Sequence, residues 1–159
     1  MELYIKQKVF SFGDKFSVKD RDGYDRYFVQ GEVFSFGKKL HVYDLSGREI
    51  AFIQQKIFSL LPKYFVNING VQAAEIIKEF TFFRNEYTVS GPGWKVHGNF
   101  ADHSYQIYDA NGRQIAYVAK QWLSWGDTYE ISVSPDADEL MALSVCLVID
   151  ACLEAQDDD

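Results

Sequence analysis

Leu140-Met141-Ala142-Leu143-Ser144-Val145-Cys146-Leu147-Val148-Ile149-Asp150-Ala151-Cys152-Leu153 is the stretch whose reading decides the fold. Pro135 breaks what precedes it. Asp136, followed three residues later by Glu139, reads as a capping box with Asp in the capping place, which predicts a helix near 136–154. A surface helix keeps a polar stripe, but here apolar residues fall on every face. Such a helix must be surrounded by protein or by lipid. The apolar run from Leu140 to Ile149 is broken by Ser144 and closed by Asp150, far short of the ~20 residues a bilayer span needs. The chain is therefore not expected to be an integral membrane protein. A helix threaded through a closed sheet fits the pattern, because it fills an interior too wide for strand side chains alone and the sheet keeps no exposed edge.

Working outward, the rest of the chain reads as strands organised by two interleaved repeats. Val9-Phe10-Ser11-Phe12-Gly13 recurs as Val33-Phe34-Ser35-Phe36-Gly37, then as Ile57-Phe58-Ser59-Leu60-Leu61 and Trp122-Leu123-Ser124-Trp125-Gly126. Between these connectors, Val42-Tyr43-Asp44-Leu45-Ser46-Gly47-Arg48-Glu49-Ile50-Ala51-Phe52 matches Ile107-Tyr108-Asp109-Ala110-Asn111-Gly112-Arg113-Gln114-Ile115-Ala116-Tyr117. Weaker copies centre on Asp22-Gly23 and Asn69-Gly70. A polar-Gly pair between two β-rich runs marks a hairpin, since Gly supplies the positive φ of the turn. Strands are predicted near 3–10, 15–20, 25–33, 39–44, 49–56, 63–68, 72–79, 84–90, 94–100, 104–109, 114–121 and 127–133. Val71–Glu79 could locally form a helix. The repeat argues for a strand, because Ala74, Ile76 and Lys78 align with Ala51, Ile53 and Gln55. The fold class is thus mainly β with one helix: a closed antiparallel barrel of about twelve strands around a central hydrophobic C-terminal helix. One domain over 1–154 is expected, with 155–159 as a solvated acidic tail.

Composition narrows the class further. Of 159 residues, 47% are hydrophobic and 16% aromatic, which excludes disorder, collagen and coiled coil. The net charge of −7 speaks against a nucleic-acid binder, because phosphate backbones demand basic patches. Cys146 and Cys152 stand six apart on the helix, about 600° of turn, so they cannot bridge each other and read as small buried hydrophobes. Met1–Lys6 shows no basic region followed by an apolar run, so no signal peptide is expected. A cytoplasmic protein is expected, with peripheral membrane contact as a further setting.

These residues resemble the LURP-one-related family, which groups with tubby C-terminal-like folds and phospholipid scramblases. The resemblance rests on Tyr-Asp-x-x-Gly-Arg-x-Ile-Ala, present in full at both Tyr43–Ala51 and Tyr108–Ala116. Trp94-Lys95-Val96-His97-Gly98-Asn99-Phe100 lies before the second copy, and Asp127-Thr128-Tyr129 leads to Asp138-Glu139-Leu140 and the apolar helix. It covers nearly the whole chain and implies a twelve-strand barrel around a hydrophobic helix. It implies no specific reaction. The basic phosphoinositide-binding residues of tubby domains and the calcium-linked site of scramblases have no residue-by-residue match here.

Chemistry is sparse. His41 and His97 alternate with inward apolar residues and read as surface histidines. Asp102-His103-Ser104 places three catalytic residue types in a row, but triad partners converge from separate elements, so it reads as a loop turn. Asp20-Arg21-Asp22-Gly23-Tyr24-Asp25 lacks the length and closing Glu of a calcium loop and reads as a charged hairpin tip. Asp44 and Asp109 are expected to accept hydrogen bonds from local backbone amides, with Arg48 and Arg113 as their partners or as anion contacts. Asp150 reads as a helix-end carboxylate solvated at the barrel mouth. No catalytic residue, metal or cofactor is assigned. The connectors supply the candidate binding residues. Phe12, Phe36, Leu60, Leu61, Trp122 and Trp125 either seal one barrel end against the helix or form an apolar rim for a membrane or partner. Lys38, Lys39 and Lys63 are candidate anion contacts beside them, together with Arg48 and Arg113. The expected function is a non-enzymatic binding or scaffold module whose ligand is a lipid headgroup or a protein surface. Scramblase-like lipid handling is the alternative, and a hydrolase the weaker one.

Overall fold

Three hairpins are set by the same local chemistry. In Asp20-x-x-Gly23, Asp44-x-x-Gly47 and Asp109-x-x-Gly112, the aspartate Oδ1 accepts from the backbone N–H two and four residues on, at 2.9 and 3.0 Å in each copy. Gly47 and Gly112 close the turn with φ of 87° and 79°, where a side chain would strain the backbone. The register then shifts by one residue, at Val42/Tyr43 and again at Ile107/Tyr108.

The computed structural model describes residues 1–6, 15–32, 36–80, 85–123 and 126–157. Among them the strands are β1 (Glu2–Lys6), β2 (Lys15–Lys19), β3 (Asp25–Gly31), β4 (Lys39–Tyr43), β5 (Glu49–Gln55) and β6 (Lys63–Ile68). There follow β7 (Val71–Phe80), β8 (Asn85–Ser90), β9 (Trp94–Asn99), β10 (Ser104–Tyr108), β11 (Gln114–Leu123), β12 (Gly126–Val133) and the helix α1 (Glu139–Asp157). Each strand pairs antiparallel with the next, and β1 pairs with β12 from Glu2↔Ser132 to Lys6↔Thr128, closing the barrel. Val71–Glu79 is strand, as the repeat requires: Ala74 and Ile76 point inward, and so does Lys78.

α1 fills the lumen, and Met141 to Cys152 are all buried. Each fully buried Leu, Ile or Val there contributes roughly 1.5–3 kcal/mol. The helix cap differs from the sequence reading. Asp138 Oδ1 accepts from the Met141 amide at 3.0 Å, while Asp136 is drawn away by Arg113 at 2.6 Å. A turn in which the Ala137 amide donates to Ser134 O delays the helix start past Asp136.

In this meander, connections alternate between the two ends. The tight turns after β2, β4, β6, β8 and β10 share one end, here the hairpin end. The connectors after β1, β3, β5, β7, β9 and β11 share the other, the connector end. α1 enters at the hairpin end, where Tyr27 Oη donates to Glu139 at 2.8 Å. It finishes at the connector end, where Lys38 Nζ donates to the Ala151 carbonyl at 2.8 Å. Lys38 thereby supplies the positive charge that the last helical turn itself lacks.

Candidate functional site

The connector end exposes large apolar side chains. Phe36 is 74% exposed, Phe58 93%, Leu60 fully, and Phe80 and Trp122 are exposed as well. Phe36 and Phe58 come from neighbouring connectors and touch, with ring centroids 6.3 Å apart. Phe36 and Phe58 are therefore an exposed apolar pair rather than two single residues. Phe58 also sits at φ 58°, a left-handed conformation that a bulky side chain adopts only with strain. Neither burial nor backbone ease accounts for a phenylalanine there.

These positions correct the sealing role considered for Phe36 and Leu60, because neither packs against the helix. Leu61 is half-buried beside them. Phe12 and Trp125 lie outside the described residues. Lys38, Lys39 and Lys63 all lie at the connector end, where Lys6, Lys15 and Lys56 are exposed too. Arg48 and Arg113 are at the opposite end beside Asp44 and Asp109, at 3.8 and 3.6 Å, so the fold does not bring them into the same surface.

Behind the patch, the last turns of α1 are surrounded by polar groups. Asp150 is only 7% exposed, which overturns its reading as a solvated helix end. Tyr129 Oη donates to its Oδ2. Burial pushes the Asp150 carboxyl up to about 7; the Tyr129 hydrogen bond opposes the rise and Glu154 adds to it. His103 arrives from the β9–β10 connector in a left-handed conformation, φ 50°, and stacks on Tyr129 at 4.4 Å. Its Nδ1 stands 3.7 Å from Asp150 Oδ1, with neither atom hydrogen-bonded. Burial pulls the His103 imidazole down. His103 thus turns inward to Asp150. Asp102 accepts from Asn99 at 2.8 Å, and Ser104 is exposed, so the three adjacent residues do not converge.

The surface reading of His41 and His97 needs refinement, since both are half-buried on the outer wall. Glu49 and Glu32 hold the two ring nitrogens of His41. Burial pulls this histidine down, but the two carboxylates outweigh it and leave it raised.

Two cavities flank the emerging helix end. One, of about 350 Å³, lies between β8, β9 and Leu153 and is lined by Asn85, Asn99 and Phe100. The other, of about 200 Å³, is lined by Pro62, Tyr64, Phe80 and Cys152. Lys78 lines both. The wall beside the first is tight. A Cβ on Gly98 would lie 2.5 Å from Tyr105 Cα, so β9 and β10 approach this closely only with glycine there. Lys78 was not singled out as a candidate, although strict alternation with Ala74 and Ile76 places it inside the barrel. Among the described residues, no helix is long and apolar enough to cross a membrane, which leaves open any role of the strands.

The profile of the LURP-one-related family matches residues 1–150 of this chain. A Bacillus subtilis (strain 168) relative described as "Uncharacterized protein YxjI" is 36% identical over 159 residues, covering all of this chain and 98% of the relative. An X-ray structure of an Arabidopsis thaliana protein superposes with a TM-score of 0.72 at 15% identity, over 95% of this chain and 90% of that one. At that identity the likeness concerns the fold alone.

Proposed function

The chain belongs to the LURP-one-related family, and on that premise we propose that it is a non-enzymatic binding module whose connector end docks on an anionic lipid surface. The observation that carries this reading is the exposed Phe36–Phe58 pair, with fully exposed Leu60 two residues along the same connector. Burying one such side chain in an acyl boundary is worth roughly 1.5–3 kcal/mol. Lysines add about 1 kcal/mol each near an anionic leaflet. Lys39 and Lys56 stand at the same end, beside Lys63, which also meets Glu75 at 3.9 Å, so basic side chains accompany the patch despite the net charge of −7. The test is co-sedimentation with vesicles of pure phosphatidylcholine and of phosphatidylcholine with 30% phosphatidylglycerol. Binding to the anionic vesicles that weakens with salt is expected. Absence of binding to either composition, together with retention on a protein partner, would replace the lipid by a protein surface.

A further inference from the structure

Lys78 is a lysine on the inward face of β7 and is 5% exposed. Buried lysines are ordinarily paired with a carboxylate. No described carboxylate pairs with this one; its ammonium lies 5.5 Å from the Phe80 ring centroid. The helix carbonyl end takes Lys38 instead. Lys78 lines both cavities around the helix end, and no carboxylate lines either of them, in a chain with 23 acidic residues. The two cavities differ in chemistry. On one side of Lys78 stand the amides of Asn85 and Asn99. On the other stand Pro62, Tyr64, Phe80 and Cys152, which offer mainly apolar surface.

We infer that Lys78 is the head-group contact of a site for a single-chain anionic amphiphile, whose phosphate or carboxylate pairs with the ammonium and whose hydrocarbon chain lies against Pro62 and Phe80. The choice of a lipid-like ligand rests on the lipid-facing reading of the connector end. The buried cation supplies charge complementarity for one acidic group, and the Asn85 amide can donate to its remaining oxygens, whereas the Asn99 amide already donates to Asp102 at 2.8 Å. The apolar cavity is lined by Phe80, itself exposed at the connector end, and by Pro62, which follows Leu60 and Leu61, so a chain seated there would lie beside the surface proposed to meet the membrane.

Calorimetric titration with dodecyl phosphate below its critical micelle concentration tests the site, with inorganic phosphate and dodecyl maltoside as separate arms. Saturable binding of one dodecyl phosphate per chain is expected. Lys78→Met should weaken it at least about tenfold, the usual loss for one charge-assisted hydrogen bond, and Lys78→Arg should largely retain it. Ala155→Glu, at the half-buried edge of the apolar cavity, should weaken binding without touching the inner wall, so the site stays testable if Lys78→Met unfolds. Equal binding of dodecyl maltoside, equal affinity for inorganic phosphate, or unchanged binding by Lys78→Met or Ala155→Glu would each overturn the assignment. Leu60→Asp separates the two readings. It should lower vesicle partitioning at least tenfold and leave dodecyl phosphate binding intact.

Discussion

The two ends of the barrel solve opposite problems. At the hairpin end, charge is paired within the fold. Arg21 meets Glu2 at 2.8 Å, Arg26 meets Glu139 at 3.4 Å, and Arg113 meets Asp136 at 2.6 Å. The carboxyls of Asp25, Asp44 and Asp136 are held below their ordinary range, chiefly by hydrogen bonds from Lys19, Ser46 and Arg113. Its exposed apolar turn residues, Tyr24, Leu45 and Val71, stand one to a turn, with Met1 and Tyr117 exposed on the wall beside them. At the connector end the signs reverse. Asp150 is raised, His103 is lowered, Phe58 and His103 are strained, Lys78 is buried with no carboxylate partner among the described residues, and aromatic residues from two connectors touch in solvent. One end agrees with its local chemistry at every level. The other departs from it repeatedly, and such departures are expected at functional or strained sites.

The contrast can be broken in four places. The largest effect is expected at Asp150. An aspartate in the unfolded chain titrates near 3.9, whereas Asp150 in the folded chain does so near 7. Between those values the folded state keeps a proton that the unfolded state has lost, so stability falls as pH rises from about 4 to about 7, and the contribution of this proton is gone above. Asp150→Asn should remove this loss, stabilising the fold by up to about 4 kcal/mol at pH 8 and hardly at all at pH 4. Urea unfolding at both pH values checks it, and an equal gain at both would refute the buried-carboxylate account. Next, Leu60→Asp should lower partitioning onto anionic vesicles at least tenfold, by about 1.5–3 kcal/mol, while Leu45→Asp at the hairpin end changes nothing measurable. Phe58→Asn should be smaller in stability yet similar in binding. Asparagine tolerates the left-handed backbone, so melting should hold or rise by roughly 1 kcal/mol while vesicle binding drops. Smallest is Asp44→Ala, which frees two turn amides and should lower the melting temperature slightly at pH 7. The lowered Asp44 carboxyl contributes stability above the ordinary aspartate range that disappears as pH falls through its folded value, so the variant and the parent should converge in acid.

Much of the fold could be read before any coordinates because the repeats carry it. Asp44 and Asp109 stand at matching positions in two copies, and the turn each makes is local, so sequence alone predicts its hydrogen bonds. The same alignment made β7 a strand where local composition suggested a helix. The helix was legible from the absence of any polar stripe, but its mouth was not. An apolar run gives no sign of where the barrel rim falls along it, and so the burial of Asp150 went unseen. His103 reaches Asp150 only through barrel closure, across 47 positions of chain that no spacing rule connects. Lys78 had a readable signal, a charge in the inward phase of an alternating strand, but its alignment with Gln55 made it look like ordinary wall polarity. Whether Phe36 and Leu60 would seal the end or project from it depends on the path of the connectors, which composition does not specify.

The asymmetry between the ends is tested most directly by labelling each one. Single cysteines at Ser59 in the β5–β6 connector and at Ser46 in the β4–β5 turn, introduced with Cys152→Ser because Cys152 lines the apolar cavity and each carrying an environment-sensitive fluorophore, report which end meets a bilayer; Cys146 is fully buried. On adding anionic vesicles containing nitroxide lipids, the Ser59→Cys probe should shift blue and be quenched, and the Ser46→Cys probe should not respond. Quenching at Ser46→Cys, or no response at either position, would contradict a membrane-facing connector end.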